Sequence, residues 1–349
     1  RDLVRSRGLG DVYKRQVVYR YLPEYNYRAL WRNNVTVRFV MEGDDPKYIP
    51  ELPPEESEFY DVGINDRCDA GCPFCYVSAN KNGTNFSGIV KTWKKLSQNI
   101  WYQRKIGQIT VTNGPVQIAI GSTGEPTQHP DFPEFLKIVK ESGVVPNYTT
   151  NGLLLGYSGK DQEIIKRRDN LLDVTEKYCS AVAISLGNKN LREAAIRAIE
   201  NLIPRDIHVV THHIISDLDS VLDFFEFRRK YGKKIHYYTL LPLAKSGRSE
   251  KEMSQGVYNF LESEILFRQR EIMEDMGNIS FGAKFIPYVK SHGNLLNACL
   301  IPEGAYSKNM LIKDDKVIIT PSSFDLTPIK IINSVSYTHL RAHETVLDL

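Results

Sequence analysis

The chain has no run of about 18 apolar residues, the minimum a membrane-spanning helix needs, so no such helix is expected. It has no dominant charge: 45 Lys and Arg stand against 42 Asp and Glu, a net charge of +3. A broad nucleic-acid surface normally needs a stronger basic excess, so nucleic acid is not expected as a partner. There is no internal repeat and no low-complexity tract, which excludes solenoids and collagen-like chains. Only five cysteines occur among 349 residues, too few and too unevenly spaced for a disulfide framework. Apolar residues at 42% and charged residues at 25% describe an ordinary globular composition. A chain of this length buries roughly three quarters of its unfolded surface and needs no disulfides to fold.

The two ends read differently from the rest. Ser6–Gln16 and Val335–Glu344 are translations of the two opposite strands of one DNA sequence, which looks like a transposase-type sequencing adapter. Residues 1–16 and 335–349 are therefore expected to be adapter-like artefacts and are set aside from fold reasoning. Residues 17–334 are expected to be a piece of a longer chain. The first tail carries five basic and two acidic residues and the second one basic and two acidic, so the rest is almost neutral, near +1.

The cysteines are Cys68, Cys72, Cys75, Cys179 and Cys299, three of them within eight residues. An odd, clustered set indicates a metal or reactive site, and a reducing cytoplasmic location is expected. Residues 17–58 read as an N-terminal extension, with an extended run at Val35–Val40. Short apolar runs then alternate with helical patterns. Strands are predicted at Tyr60–Asn65, Val116–Gly121, Val144–Thr149, Ala181–Leu186, Ile207–Ile214 and Lys234–Leu241. Helices are predicted at Ser87–Lys105, Pro133–Glu141, Asp161–Tyr178, Asn190–Leu202, Ser220–Tyr231 and Val257–Met276. Six such units imply an α/β fold with a parallel sheet, a partial (β/α)6 barrel over residues 59–276. A small C-terminal module at residues 277–334 is expected to follow. In such barrels the site lies in the loops after the strands, which is where each unusual motif falls.

The strongest motif is DVGINDRCDAGCPFCYVSAN, with cysteines spaced C-x3-C-x2-C. Three thiolates on one loop can hold three corners of a cubic iron–sulfur cluster. The fourth iron is left open for a substrate or cofactor, by the logic of open catalytic metal sites. Zinc is the competing metal. Zinc sites usually pair two C-x2-C units or add His, and no nearby His completes a set.

C-x3-C-x-aromatic-C after the first strand, with Phe74 as the aromatic, resembles the radical S-adenosylmethionine (radical SAM) superfamily. The likeness covers about Phe59–Pro242, with a weaker trailing likeness to Asp325. It implies a [4Fe–4S] cluster on Cys68, Cys72 and Cys75, with S-adenosylmethionine bound at the fourth iron. Phe74 and Tyr76, beside the last cysteine, are implied neighbours of that cofactor. The family's Gly-Gly-Glu-like loop, which contacts the methionine amino group, is matched by Thr123-Gly124-Glu125, with Thr replacing the first glycine. Thr150, closing the third strand, is an implied lining residue; Asn151-Gly152 reads as a turn. Ser185 is the implied ribose or carboxylate contact, with helix capping as its alternative. Leu241 lies in the Leu-Pro segment that resembles the adenine-packing turn. In HVVTHHIIS one of His212 and His213 faces inward, as an acid, base or polar contact or as a satisfied core histidine. Lys245 and Arg248 follow the last strand as anion contacts or as a solvated loop.

Cys299 and the Met310–Thr320 hairpin resemble the SPASM/twitch-like modules of peptide-modifying members, in a degenerate form. Ser322 stands where that pattern has a cysteine, and Ser is a poor iron ligand. Cys179 reads as a buried structural thiol. The function implied is one-electron cleavage of S-adenosylmethionine to a 5′-deoxyadenosyl radical, which abstracts hydrogen from a peptide or protein. A small-molecule or nucleotide substrate is one alternative; a non-catalytic iron–sulfur protein is the other. A flavodoxin or ferredoxin is the implied reductant, and no catalytic side chain is assigned.

Overall fold

The computed structural model describes residues 17–25, 27–32, 35–40, 56–101, 103–268, 279–285, 288, 307–322 and 327–333. The two adapter-like tails and Cys299 lie outside these residues. Three strands come first: β1 (Val17–Leu22), β2 (Tyr27–Arg32) and β3 (Val35–Val40). The barrel begins at β4 (Phe59–Gly63), followed by helix α1 (Ile89–Asn99). A hairpin, β5 (Gln103–Ile106) and β6 (Ile109–Thr112), leads into β7 (Gln117–Ile120) and α2 (Phe132–Glu141). Then come β8 (Val145–Thr150), α3 (Gln162–Tyr178), β9 (Ala181–Ser185), α4 (Arg192–Leu202), β10 (His208–Ile215), α5 (Leu218–Tyr231) and β11 (Tyr237–Pro242). Helix α6 (Gln255–Phe267) and strands β12 (Ile279–Phe281), β13 (Ser307–Lys313), β14 (Lys316–Thr320) and β15 (Lys330–Asn333) complete the order.

The helices arise from their apolar spacing and their caps. Helix α1 buries Ile89, Trp93 and Leu96, one stripe at helical spacing. Asp161 caps α3 by accepting from Glu163 N at 2.9 Å and Ile164 N at 3.3 Å. Asp217 and Ser220 form a reciprocal capping box at the start of α5. The strands alternate. In β10, Val209, Thr211, His213 and Ile215 are buried against the helices, while His208, Val210, His212 and Ile214 face the other way.

Ten strands form one sheet in the order β12-β11-β10-β9-β8-β7-β4-β13-β14-β15. All neighbours from β12 to β13 are parallel, and β14 and β15 close the edge antiparallel. The six strands β4 and β7–β11 with their helices are the partial barrel. The C-terminal strands are continuous with it: β13 pairs along β4, and β12 along β11. The β13–β14 turn uses Asp314 at φ 52° and Asp315 at φ 60°, the left-handed pair of a tight hairpin. Ser87 Oγ donates to Asp314 at 3.1 Å, and Lys91 pairs with Asp315 at 3.4 Å, docking the turn on α1.

Two segments differ from expectation. The helix predicted through Lys105 stops at Asn99, and residues 103–112 form the β5–β6 hairpin. Gly107 at φ 60° makes the turn, and the β-branched run Ile109-Thr110-Val111-Thr112 favours a strand. Strand β6 pairs parallel with β1, giving a second sheet in the order β3-β2-β1-β6-β5. The last helix ends at Phe267 rather than Met276, and residues 269–278 lie outside those described. No helix among the described residues is long and apolar enough to cross a membrane.

Candidate active site

The cysteine loop leaves the carboxyl end of β4 and is held from three sides. Its own backbone closes it: Cys68 N donates to Asn80 O at 2.9 Å and Cys75 N to Cys72 O at 3.3 Å. The loop after β11 clamps it from above. Arg248 donates its backbone N to Cys75 O (2.9 Å), Nε to Cys72 O (2.8 Å) and Nη1 to Ala79 O (2.6 Å). Gly247 sits at φ 58° against the Cys75 and Tyr76 backbone, where a side chain would collide. Arg248 is therefore committed to the cysteine loop, whereas Lys245 is exposed.

The loop after β7 holds the third side. Thr123 Oγ1 donates to Asn65 O at 2.6 Å, Glu125 N to Arg67 O at 2.8 Å, and Asn65 Nδ2 to Glu125 O at 2.8 Å. Gly124 is needed for this approach, because a Cβ there would meet Asn65 and the Arg67 carbonyl. The Glu125 carboxylate is buried and saturated. It accepts from Thr127 N (3.2 Å), Thr127 Oγ1 (2.7 Å), Thr150 Oγ1 (2.7 Å) and Asn151 N (2.8 Å). Burial pushes its pKa up, and these four donors oppose the shift.

Phe74 reaches the loop after β9, where its ring packs against Gly187. Tyr76 donates its hydroxyl to Ser122 O at 2.8 Å and accepts at its carbonyl from Ser246 Oγ at 3.1 Å. The structure thus gathers Phe74, Tyr76, Thr123, Gly124, Glu125 and Thr150 around the cysteine loop. Ser185 and Leu241 sit on the inner face of the barrel, at the ends of β9 and β11. His212 shares that inner face, level with Ser185 and Thr239. His213 points outward into an aromatic cage, 5.0 Å from Phe224 and 5.2 Å from Phe227.

All three loop thiols are free and half-buried. Burial pushes Cys68 up to about 11, with the Glu125 charge adding to the shift and the Asn151 amide opposing it. Burial also raises Cys72, offset by the Asn188 amide and the nearby Arg248 charge. Cys68 and Cys72 therefore hold their protons more tightly than a free cysteine does, and metal binding would displace them. The surroundings fit an iron–sulfur cluster. The side-chain groups aimed at the sulfurs are amide N–H donors, which suit thiolate ligands carrying negative charge. Among the described residues, no three His, Cys, Asp or Glu side chains converge on one metal ion. Cysteines that each serve a different iron of a cluster need no such convergence.

Arg248, expected as an anion contact or a solvated loop residue, instead clamps the cysteine loop. Three contributors escaped the sequence reading. Asn65 braces the β7 loop and Asn188 reaches Cys72. Ser122 Oγ is buried beside the site with no hydrogen-bond partner among the described residues. Asn188 follows a predicted strand, and that position was its only local signal. Cys179 is buried, as expected. Ser322 is half-buried, and its carbonyl accepts from Thr320 Oγ1 at 3.1 Å.

This parallel barrel is the partial TIM-like fold of the radical SAM enzymes, which the chain resembles in both motif and architecture. No protein-family model matches the chain. It is similar to the 7,8-dihydro-6-hydroxymethylpterin dimethyltransferase of Methanocaldococcus jannaschii, 32% identical over 95 residues, 27% of this chain and 17% of that protein. Its fold is similar to SuiB of Streptococcus suis, with TM-score 0.51 and 13% identity over 76% of this chain and 60% of SuiB. SuiB bound to S-adenosylmethionine matches with TM-score 0.52 and 14% identity over the same shares. SuiB bound to its precursor peptide SuiA matches with TM-score 0.53 and 15% identity, over 77% of this chain and 60% of that one. The chain therefore spans less than two thirds of each of these proteins.

Proposed function

We propose that the chain is a radical SAM enzyme in which Cys68, Cys72 and Cys75 hold a [4Fe–4S] cluster and S-adenosylmethionine occupies the open iron. The observation that carries this reading is the clamped cysteine loop at the carboxyl end of the first barrel strand. When bound, the pair supplies a one-electron cleavage of the sulfonium that leaves a carbon radical able to take a substrate hydrogen. The chain's own residues orient the pair and exclude water. Phe74 and Tyr76 wall the cofactor beside the cysteine loop. Thr123, Gly124, Glu125 and Thr150 form the brace that sets the height of the β7 loop over it. Ser185 and Leu241, on the inner face of the barrel, would hold the cofactor's nucleoside end. His212, inside the barrel and level with Ser185, faces the substrate side.

A peptide or protein is the proposed substrate, supported by the fold shared with SuiB, which was solved with a precursor peptide. A small molecule is the second reading, favoured by the stretch 32% identical to a pterin dimethyltransferase. A flavodoxin or ferredoxin is the proposed electron donor, and the proposed location is the cytoplasm.

The test is 5′-deoxyadenosine formation after anaerobic reconstitution with iron and sulfide, then addition of S-adenosylmethionine and dithionite. The parent chain is expected to form it and Cys72→Ala to fall to background. A folded parent that binds iron without forming the product overturns the enzyme reading in favour of a cluster-binding role.

A further inference from the structure

Two asparagines outside the C-x3-C-x2-C motif share one geometry. Asn151 directly follows β8, and Asn188 follows β9 by three residues. Each turns its side-chain oxygen back onto its own chain. Asn151 Oδ1 accepts from Leu153 N at 2.9 Å, and Asn188 Oδ1 accepts from Asn190 N at 3.1 Å. Such a turn settles which end of the amide points outward, and in both cases it is the NH2 group. Asn188 Nδ2 donates to Cys72 Sγ at 3.3 Å and to Ala70 O at 3.0 Å. Asn151 Nδ2 donates to Cys68 Sγ at 3.8 Å. Asn151 is also tethered through its backbone N to the buried Glu125 carboxylate at 2.8 Å, so its position follows the brace. Cys75 receives no side-chain amide donor among the described residues. The three ligands are therefore not equivalent.

We infer that Asn151 and Asn188 are positioning residues that tune the cluster, an inference that rests on the proposed [4Fe–4S] reading. An N–H donor on a thiolate sulfur withdraws negative charge from the ligand. That favours the more negative, reduced form of the cluster and raises its reduction potential. Asn188, with the shorter contact, has the larger effect. A purely structural role for these residues ends at the turn, which needs only the side-chain oxygen. Aspartate keeps that oxygen and removes the N–H donor but adds a negative charge, so Asn→Asp is read beside Asn→Ala, which removes the donor without adding charge.

The experiment is an EPR-monitored redox titration of the anaerobically reconstituted full chain, with iron and sulfide counted per chain. Asn188→Ala and Asn188→Asp are both expected to shift the midpoint potential to more negative values, the Asn151 variants to shift it less, and the double variants to shift it most. Thermal melts of both single Asp variants before reconstitution are expected to match the parent. If the Asn188 variants fail to retain iron, the Asn151 variants carry the measurement, because that contact is longer and its loss milder. An Asn188→Ala midpoint potential equal to the parent's, with equal iron content, overturns the inference whatever the Asp variants do, and leaves the proposed function standing. A parent that assembles no iron–sulfur cluster overturns the proposed function and this inference with it.

Discussion

The wall and the rim of the barrel are built from the same strands but held by different forces. In the wall, Ile118, Ile120, Val182, Ile184 and Val209 meet Phe132, Phe135, Trp93 and Phe224 from the helices, all buried. This is close-packed apolar contact, and its strength scales with the area removed from water. At the rim, a few residues further along those strands, the contacts are polar. Glu125, Asn65, Thr123, Thr150, Asn151, Asn188 and Arg248 cross-link five strand ends around the cysteine loop. Each such bond contributes only about 1 kcal/mol net, yet each fixes a direction. The wall thus supplies stability, and the rim supplies geometry that apolar packing cannot specify.

The largest expected effect breaks the wall. Phe135→Ala removes a fully buried ring that meets Trp93 edge-on at 5.7 Å. It is expected to cost about 3–5 kcal/mol in urea unfolding. If the wall and rim are separate, iron retained by the folded fraction is unchanged.

Next comes the rim. Glu125→Gln keeps an oxygen for the Thr127 and Thr150 hydroxyls only by turning its NH2 group toward the Asn151 backbone N–H, a donor left without its acceptor. It is expected to cost about 1–3 kcal/mol and, unlike Phe135→Ala, to lower the iron retained per folded chain. Equal iron retention in the two variants would erase the distinction.

A third test uses pH on a wall residue. His213 is caged by aromatic rings, and its Nε2 meets Thr211 Oγ1 at 3.0 Å. Burial, with Arg192 adding, lowers its pKa from 6.5 to about 3. Below pH 6.5 the unfolded chain therefore binds a proton that the folded chain refuses. Stability is complete above that value and falls as pH drops from 6.5 towards 3. By about pH 5 the loss from this residue is about 2 kcal/mol. His213→Phe is expected to flatten that part of the acid limb of the stability curve. An unchanged limb would show that His213 titrates normally in the fold.

The smallest effect is expected on the surface. Lys91 and Asp315 pair at 3.4 Å with both side chains largely in water. Lys91→Ala is expected to change unfolding free energy by about 0.2–1 kcal/mol, and less in high salt.

The cysteine spacing exposed the site, because ligands carried on one short loop announce themselves in consecutive residues. The barrel was legible for a similar reason. Period-two runs such as Ala181–Ser185 and striped helices such as Phe132–Glu141 are local patterns. The β5–β6 hairpin was not legible, since Arg104 and Lys105 extend a helical pattern until Gly107 breaks it. Nor was its pairing with β1, which joins segments about ninety residues apart. Alternation along β10 placed His212 and His213 on opposite faces but did not say which face was inside. That depended on where α5 packs.

The sequence by itself determined what can be written within one element: the strand–helix alternation, the three thiols on one loop, and the glycine turns. The tertiary structure alone decided what those groups touch. Arg248 lies 176 residues from Cys72 and Asn188 116 residues from it, yet both bond to that one cysteine. Hydrogen bonds are short and directional, so which donor finds which acceptor follows only when strand order and register bring the chain ends together.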